Sequence, residues 1–107
     1  VKDDLESERC ARLLKAMADP ERLRIVQCLR DGEKNVSEMA AELEVEVVNL
    51  SHHLGVLRNA GIVVDQRQGR YIIYRLHPEV FEQASTSAAD YLQFGCCRLE
   101  IPKRQER

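Results

Sequence analysis

The chain has 107 residues, about one ordinary domain, of which 44% are hydrophobic and 32% charged, a composition that fits a soluble helical domain and excludes a disordered tail. Sixteen Lys and Arg against eighteen Asp and Glu give a formal charge of -2, so there is no bulk positive field and any nucleic-acid reading depends on where the charges sit. No apolar run approaches the ~20 residues of a membrane helix and Val1-Lys2-Asp3-Asp4 lacks the apolar core of a signal peptide, which predicts a cytoplasmic chain, without a membrane partner, whose cysteines stay reduced unless they have a redox or metal role.

Leu5, Cys10, Leu13, Leu14, Ala16 and Met17 recur at helical spacing, with acids at the start where the helix dipole favours them. This predicts a first helix ending near Ala18. Asp19-Pro20 reads as the cap and first position of a second helix. Its buried stripe is Leu23, Ile25, Val26, Cys28 and Leu29, and Gly32 ends it. Asn35 with Glu38 forms a capping-box pattern that opens a third helix, with Met39, Ala40 and Leu43 inward. A fourth runs to about Ala60 on Leu50, Leu54, Val56 and Leu57, and Gly61 is its stop.

The period then changes. Ile62-Val63-Val64 and Tyr71 to Leu76 read as strands around the polar loop Gln66-Arg67-Gln68-Gly69-Arg70. Pro78 is expected to open a last helix with Val80, Phe81, Ala84, Ala88, Tyr91 and Leu92 on its apolar side, ending at Gly95. The order helix, helix, helix, helix, hairpin, helix is a mainly α winged helix-turn-helix with a β-hairpin wing. Residues 1–97 are expected to form this single domain, and 98–107 a polar C-terminal tail.

Three blocks of sequence carry a family resemblance. Leu14 to Val26 resembles the second-helix signature of the ArsR/SmtB family of bacterial repressors. Ser51 to Val63 resembles its recognition helix and exit, and Gly69 to Leu76 its wing. The resemblance covers roughly residues 8 to 80. It implies a homodimer paired through the first and last helices that binds operator double-stranded DNA and releases it on sensing a metal, metalloid or oxidant. On that arrangement Leu5, Leu13, Met17, Phe81, Ala88 and Tyr91 are the expected dimer residues. Where many arsenic, cadmium and lead sensors carry Cys-Val-Cys, this chain has Asn35-Val36-Ser37. The zinc pattern of the last helix is also incomplete, with Asp90 but no histidine inside it and His77 just before it.

A recognition helix offers its N-terminal residues to base edges, which selects Val47, Val48, Asn49, Ser51 and His52. Asn49 can pair bidentately with adenine, and the valines can meet thymine methyls if they are exposed rather than packed in the core. From Val36 to Ala60 the charges are Glu38, Glu42, Glu44 and Glu46 against Arg58 alone. Positive charge comes from the wing, Arg67 and Arg70 beside Gln68, with Arg12, Lys15 or Lys34 as further sources. His52 and His53 point about 100° apart on a helix and are poor candidates to share an ion.

Cys28 reads as a buried thiol. Cys96-Cys97, after Gly95 and before Arg98, can bind a soft ion such as As(III), Cd(II), Pb(II) or Hg(II), with Arg98 favouring the thiolates. Cys10 is the candidate third ligand. A disulfide between neighbours needs a strained ring. The expected function is therefore a ligand-responsive repressor released by a thiophilic metal or metalloid. The alternatives are a thiol-redox or persulfide sensor on the same fold, or a winged-helix protein-interaction module. No enzyme is indicated, because the chain lacks a phosphate-binding glycine loop and any Ser-His-Asp or Cys-His arrangement of catalytic type.

Overall fold

Four helices open the chain in the computed structural model, which describes residues 4–82 and 89–102. They are α1 (Asp4–Met17), α2 (Pro20–Leu29), α3 (Val36–Leu43) and α4 (Val47–Ala60). A short strand β1 (Lys34–Asn35) precedes α3, and the wing is β2 (Val63–Gln68) with β3 (Tyr71–Leu76). The antiparallel order is β1-β3-β2, with Val63 opposite Leu76 and Gln68 opposite Tyr71. Gly69 makes the tight turn at φ +62, a conformation glycine adopts without steric cost.

The helix starts follow their local chemistry. The Asn35 side chain accepts from the Glu38 N–H, and the Asn35 N–H donates to the Glu38 carboxylate, both at 2.8 Å. The Asp19 carboxylate accepts from the N–H groups of Glu21 at 2.9 Å and Arg22 at 3.2 Å, with Pro20 at the first helical position. The bond from the Arg22 N–H is the main influence that holds the Asp19 carboxyl below its ordinary pKa. Desolvation opposes it, and the Glu21 N–H and the charges of His53 and Arg22 add to it. A lowered folded value means that the cap's contribution is present above the ordinary carboxylate range and lost as pH falls through that lowered value. Asp19→Asn keeps a capping oxygen but does not titrate there. Its melting temperature is expected to fall less steeply with acid than that of the parent, and parallel acid limbs in a calorimetric pH series would remove this role.

Ile25, Val26 and Leu29 of α2 meet Met39 and Leu43 of α3, Leu50, Leu54 and Leu57 of α4, and Cys10, Leu13 and Met17 of α1 in one core. Two residues depart from the sequence reading. Leu23, expected in the buried stripe, is 44% exposed. It lies on the far side of α2 from Ile25, Val26, Cys28 and Leu29, as a 100° step per residue requires. Leu14 is also exposed, at 40%.

The last helix is the main correction. In its place stands a second antiparallel sheet in the order β4-β5-β6, formed by β4 (Phe81–Glu82), β5 (Ala89–Gln93) and β6 (Arg98–Pro102). Leu92 faces Leu99 across it, and Leu92, Phe94 and Ile101 enter the core. The helical reading followed Val80, Phe81, Ala84, Ala88, Tyr91 and Leu92, of which Ala84 and Ala88 lie outside the described residues, but Leu92 alternates with Phe94 at period 2, and Leu99 and Ile101 match them after the Gly95 turn. Residues 98–102 therefore belong to the sheet rather than to a polar tail. A homodimer paired through α1 and a last helix loses the second of those elements. Ala88 and the Leu5 side chain lie outside the described residues. Leu13 and Met17 are buried in the chain's own core, while Phe81 and Tyr91 are half-buried.

A buried ion pair ties the new sheet to the helices. Arg30, the C-cap of α2, reaches Asp90 of β5 at 3.4 Å, with side-chain exposures of 7% and 1%, and also holds Asp31 at 3.1 Å.

Candidate functional site

Two regions have the chemistry of a site. The first is the end of α4 where it follows α3. The reversal is made at Glu44, left-handed at φ 55, whose N–H donates to the Ala40 carbonyl. Leu50, Leu54 and Leu57 hold α4 to the core, and this leaves Val47, Val48, Asn49, Ser51 and His52 on the outside. Val47 is 50% and Val48 76% exposed, so neither packs in the core. His53 turns inward, with Nε2 2.8 Å from the Glu21 carboxylate and Nδ1 3.2 Å from Arg22. It fastens α4 to the start of α2.

Arg67, Gln68 and Arg70 are exposed at the tip of the wing. Two other cations are engaged, while Arg12 and Lys15 are exposed on α1. Arg58 bonds Asp65 at 3.1 Å, and Lys34 donates to the Cys28 carbonyl at 3.0 Å. Glu42, Glu44 and Glu46 are exposed beside the start of α4. The exposed positive charge on this side lies on the wing and outside the helix-turn-helix.

The second region joins the two ends of the chain. Cys10 is buried on α1, and Cys96 and Cys97 sit in the β5–β6 turn. The turn is closed by the Phe94 N–H donating to the Cys97 carbonyl at 3.0 Å. Gly95 has φ +94, and a Cβ there would stand 3.5 Å from Glu6 Oε1 and 3.7 Å from Arg9 Nη1. Arg9 donates to the Phe94 carbonyl at 3.2 Å. The three sulfurs lie within 4.8 Å of one another. Cys10 and Cys96 are joined as a disulfide with Cα atoms 6.2 Å apart, and Cys97 Sγ is 3.8 Å from Cys10 Sγ. Two thiolates bound to one tetrahedral ion, each at ~2.3 Å, stand about 3.8 Å apart, which is the Cys10–Cys97 separation. Arg98 does not serve the thiols as expected. It lies over the Tyr91 ring at 4.2 Å and faces Glu82 at 3.7 Å, and the cation bonded to the turn is Arg9. Cys28 is buried in the core. Asn35, where some family patterns have cysteine, is used in the helix cap.

Sequence reasoning missed Arg9 and the Arg30–Asp90 pair. Asp90 gave the only signal, as an acid between apolar residues; nothing local marks Arg9.

Residues 19–64 match the family described as bacterial regulatory protein, arsR family. The crystal structure of the transcriptional regulator HlyU from Vibrio vulnificus is 35% identical, with a TM-score of 0.64, covering 73% of this chain and 81% of that one. The chain belongs to the ArsR family. Arsenic resistance transcriptional regulator ArsR1 of Pseudomonas putida is 44% identical over 69 residues, 64% of this chain, and the chain spans about half of that relative's length, 54%. A homodimeric winged helix-turn-helix DNA-binding domain from Mycobacterium bovis, a possible ArsR-family regulator, is 32% identical with a TM-score of 0.65, covering 67% of each chain. These relatives are named as regulators of transcription, not as enzymes. The family segment spans α2 to the start of β2. Cys10, Cys96 and Cys97 all fall outside it, so the ArsR match does not itself supply the thiol cluster. Among the described residues no helix is long and apolar enough to cross a membrane.

Proposed function

We propose that the chain represses transcription by binding operator DNA as a homodimer and releases it when Cys10, Cys96 and Cys97 take up a thiophilic metal or metalloid ion such as As(III). The reading rests on one observation, three sulfurs within 4.8 Å contributed by α1 and the β5–β6 turn. Thiolates select soft ions over hard ones, and a pyramidal As(III) centre takes three of them. α1 packs on α4, so an ion that shifts α1 at Cys10, midway along the helix, can favour one presentation of the recognition helices over another. Release requires only that the two presentations bind DNA differently. The exposed Leu14 and Leu23 give a second copy apolar surface to cover.

Asn49, Ser51 and His52, with Val47 and Val48, read bases, while Arg67 and Arg70 grip phosphates. Arg67→Ala with Arg70→Ala is expected to weaken binding to operator and scrambled duplex alike and to reduce the salt slope by roughly 0.9 per lost contact. Asn49→Ala is expected to relax one base position by about 1–3 kcal/mol. Fluorescence anisotropy across salt and operator variants separates the two, and equal changes in affinity and selectivity from both would overturn the division. Titrating As(III) into the complex tests the release itself; an operator complex indifferent to As(III), Cd(II) and Hg(II) would overturn the ion-sensing reading.

The Cys10–Cys96 disulfide favours a second reading, thiol-redox sensing. Two thiols give up two electrons and two protons to a peroxide, which leaves as an alcohol and water, and Cys97 stays a thiol. Release by peroxide with no response to As(III) under reducing conditions would select it.

A further inference from the structure

A groove of about 460 Å³ runs between α1 and the C-terminal half of α4. Its rim is Arg9, Arg12 and Lys15 of α1 with Arg22 from the first turn of α2, and Asn59 offers an amide from α4. Leu13, Ala16, Val56 and Ala60 make the floor, and no acid is among the lining residues. The chain as a whole has a formal charge of -2, so four cations around one groove are a local concentration. Arg9, Arg12 and Lys15 are exposed, with stems that can lie along the apolar floor and heads that reach out. Arg22 is fixed by contrast. It donates to the Ala16 carbonyl and is held by Asp19 and His53.

We propose that this groove seats the sugar-phosphate backbone of the bound DNA, with Arg12 and Lys15 on phosphates that flank the recognition helix. The proposal rests on the operator-binding reading above. His52 and Asn59 are seven residues apart and so share one face of α4, which places the groove roughly 10 Å along the helix from the base-reading residues. The helix-turn-helix is poor in usable positive charge, because its Arg58 bonds Asp65 and Glu42, Glu44 and Glu46 crowd its turn. Phosphate neutralisation must come from elsewhere on the same side, and the groove supplies it. Arg9 has a second duty. It lines the groove and also donates to the Phe94 carbonyl of the cysteine turn. Ion uptake that moves this turn changes what Arg9 can offer a phosphate, so Arg9 is a positioning residue shared by the thiol cluster and the DNA.

The test is anisotropy against salt, using a duplex selected by the protein from a random-sequence library and a scrambled duplex. Arg12→Gln with Lys15→Gln, two exposed residues whose loss should leave the far-UV spectrum and melting temperature intact, removes two contacts from each protomer of the dimer and is expected to lower the salt slope by about 3.6. Affinity should fall roughly tenfold per lost contact near 0.1 M salt, equally for both duplexes. An unchanged slope, or a loss confined to the selected duplex, overturns the backbone assignment. Pyrophosphate that raises the melting temperature of the parent but not of the double variant, with DNA slopes equal, assigns the groove to free phosphates and also overturns it. Arg9→Gln, present in both protomers, is expected to lower the slope by about 1.8 and to change the ratio of affinities with and without As(III). A lowered slope with an unchanged ratio overturns the shared role. If the parent binds neither duplex, the operator-binding reading itself falls, a result separate from any failure of the groove.

Discussion

Cys96→Ser with Cys97→Ser is expected to leave operator affinity in the absence of ion almost unchanged and to abolish the response to As(III). The pair is far from the expected DNA-reading residues in sequence and belongs to a turn closed by its own backbone bond, so its oxygen analogues should preserve the turn. A hydroxyl is a hard ligand, neutral near pH 7, and does not replace a thiolate on a soft ion. With coupling of the usual size, about 1–3 kcal/mol, the lost response corresponds to a 5- to 150-fold change in affinity. Cys10→Ser separates two site designs. Loss of response supports the three-thiolate trio, and a full response assigns the ion to the β5–β6 turn alone. A double variant that still releases DNA normally with As(III) would move the sensing site elsewhere.

The second large effect is on stability. Asp90→Ala removes one partner of an ion pair whose side chains are only 7% and 1% exposed. Breaking a buried pair leaves an uncompensated charge and costs about 3–5 kcal/mol. Arg30 keeps Asp31 at 3.1 Å, so the lower end, about 3 kcal/mol, is expected. For a domain of this size that is a fall of roughly 15 °C in melting temperature. Arg30→Met with Asp90→Leu removes both charges together and is expected to recover most of the loss. Equal melting temperatures for Asp90→Ala and the parent in calorimetry would show that the pair does not hold β5 to α2.

What could be read from the sequence was what local chemistry decides. Asp19-Pro20, the Asn35 and Glu38 pair, Gly61 and Gly69 mark helix and turn boundaries through bonds made within three or four residues, and each stands where it was read. The stretch after Pro78 failed because its apolar residues satisfy two periods. Helical spacing joins Phe81, Ala84 and Ala88, whereas alternation joins Leu92 to Phe94, and only pairing with Leu99 and Ile101 decides between them. That partner lies beyond the turn and has no local signal. Leu23 differs for another reason: it is hydrophobic, but its angle around α2 turns it away from the buried stripe. At the site, the adjacency of Cys96 and Cys97 is plain in the sequence. Their meeting with Cys10 is a product of the fold across 86 residues, and so is the placement of Arg9 on their turn.

That separation also sets a topology. A ligand or bond that joins Cys10 to the β5–β6 turn closes nearly the whole chain into a ring. An unfolded chain offers an ion the adjacent pair readily, but recruiting Cys10 then requires closing a very long loop, whose entropy cost grows with its length. Full coordination is therefore reserved for the folded chain, and ligand that prefers the folded state raises its population. On the proposed function the ion would then be a folding clamp as well as a signal, and the chain would resist turnover most when it is off the DNA.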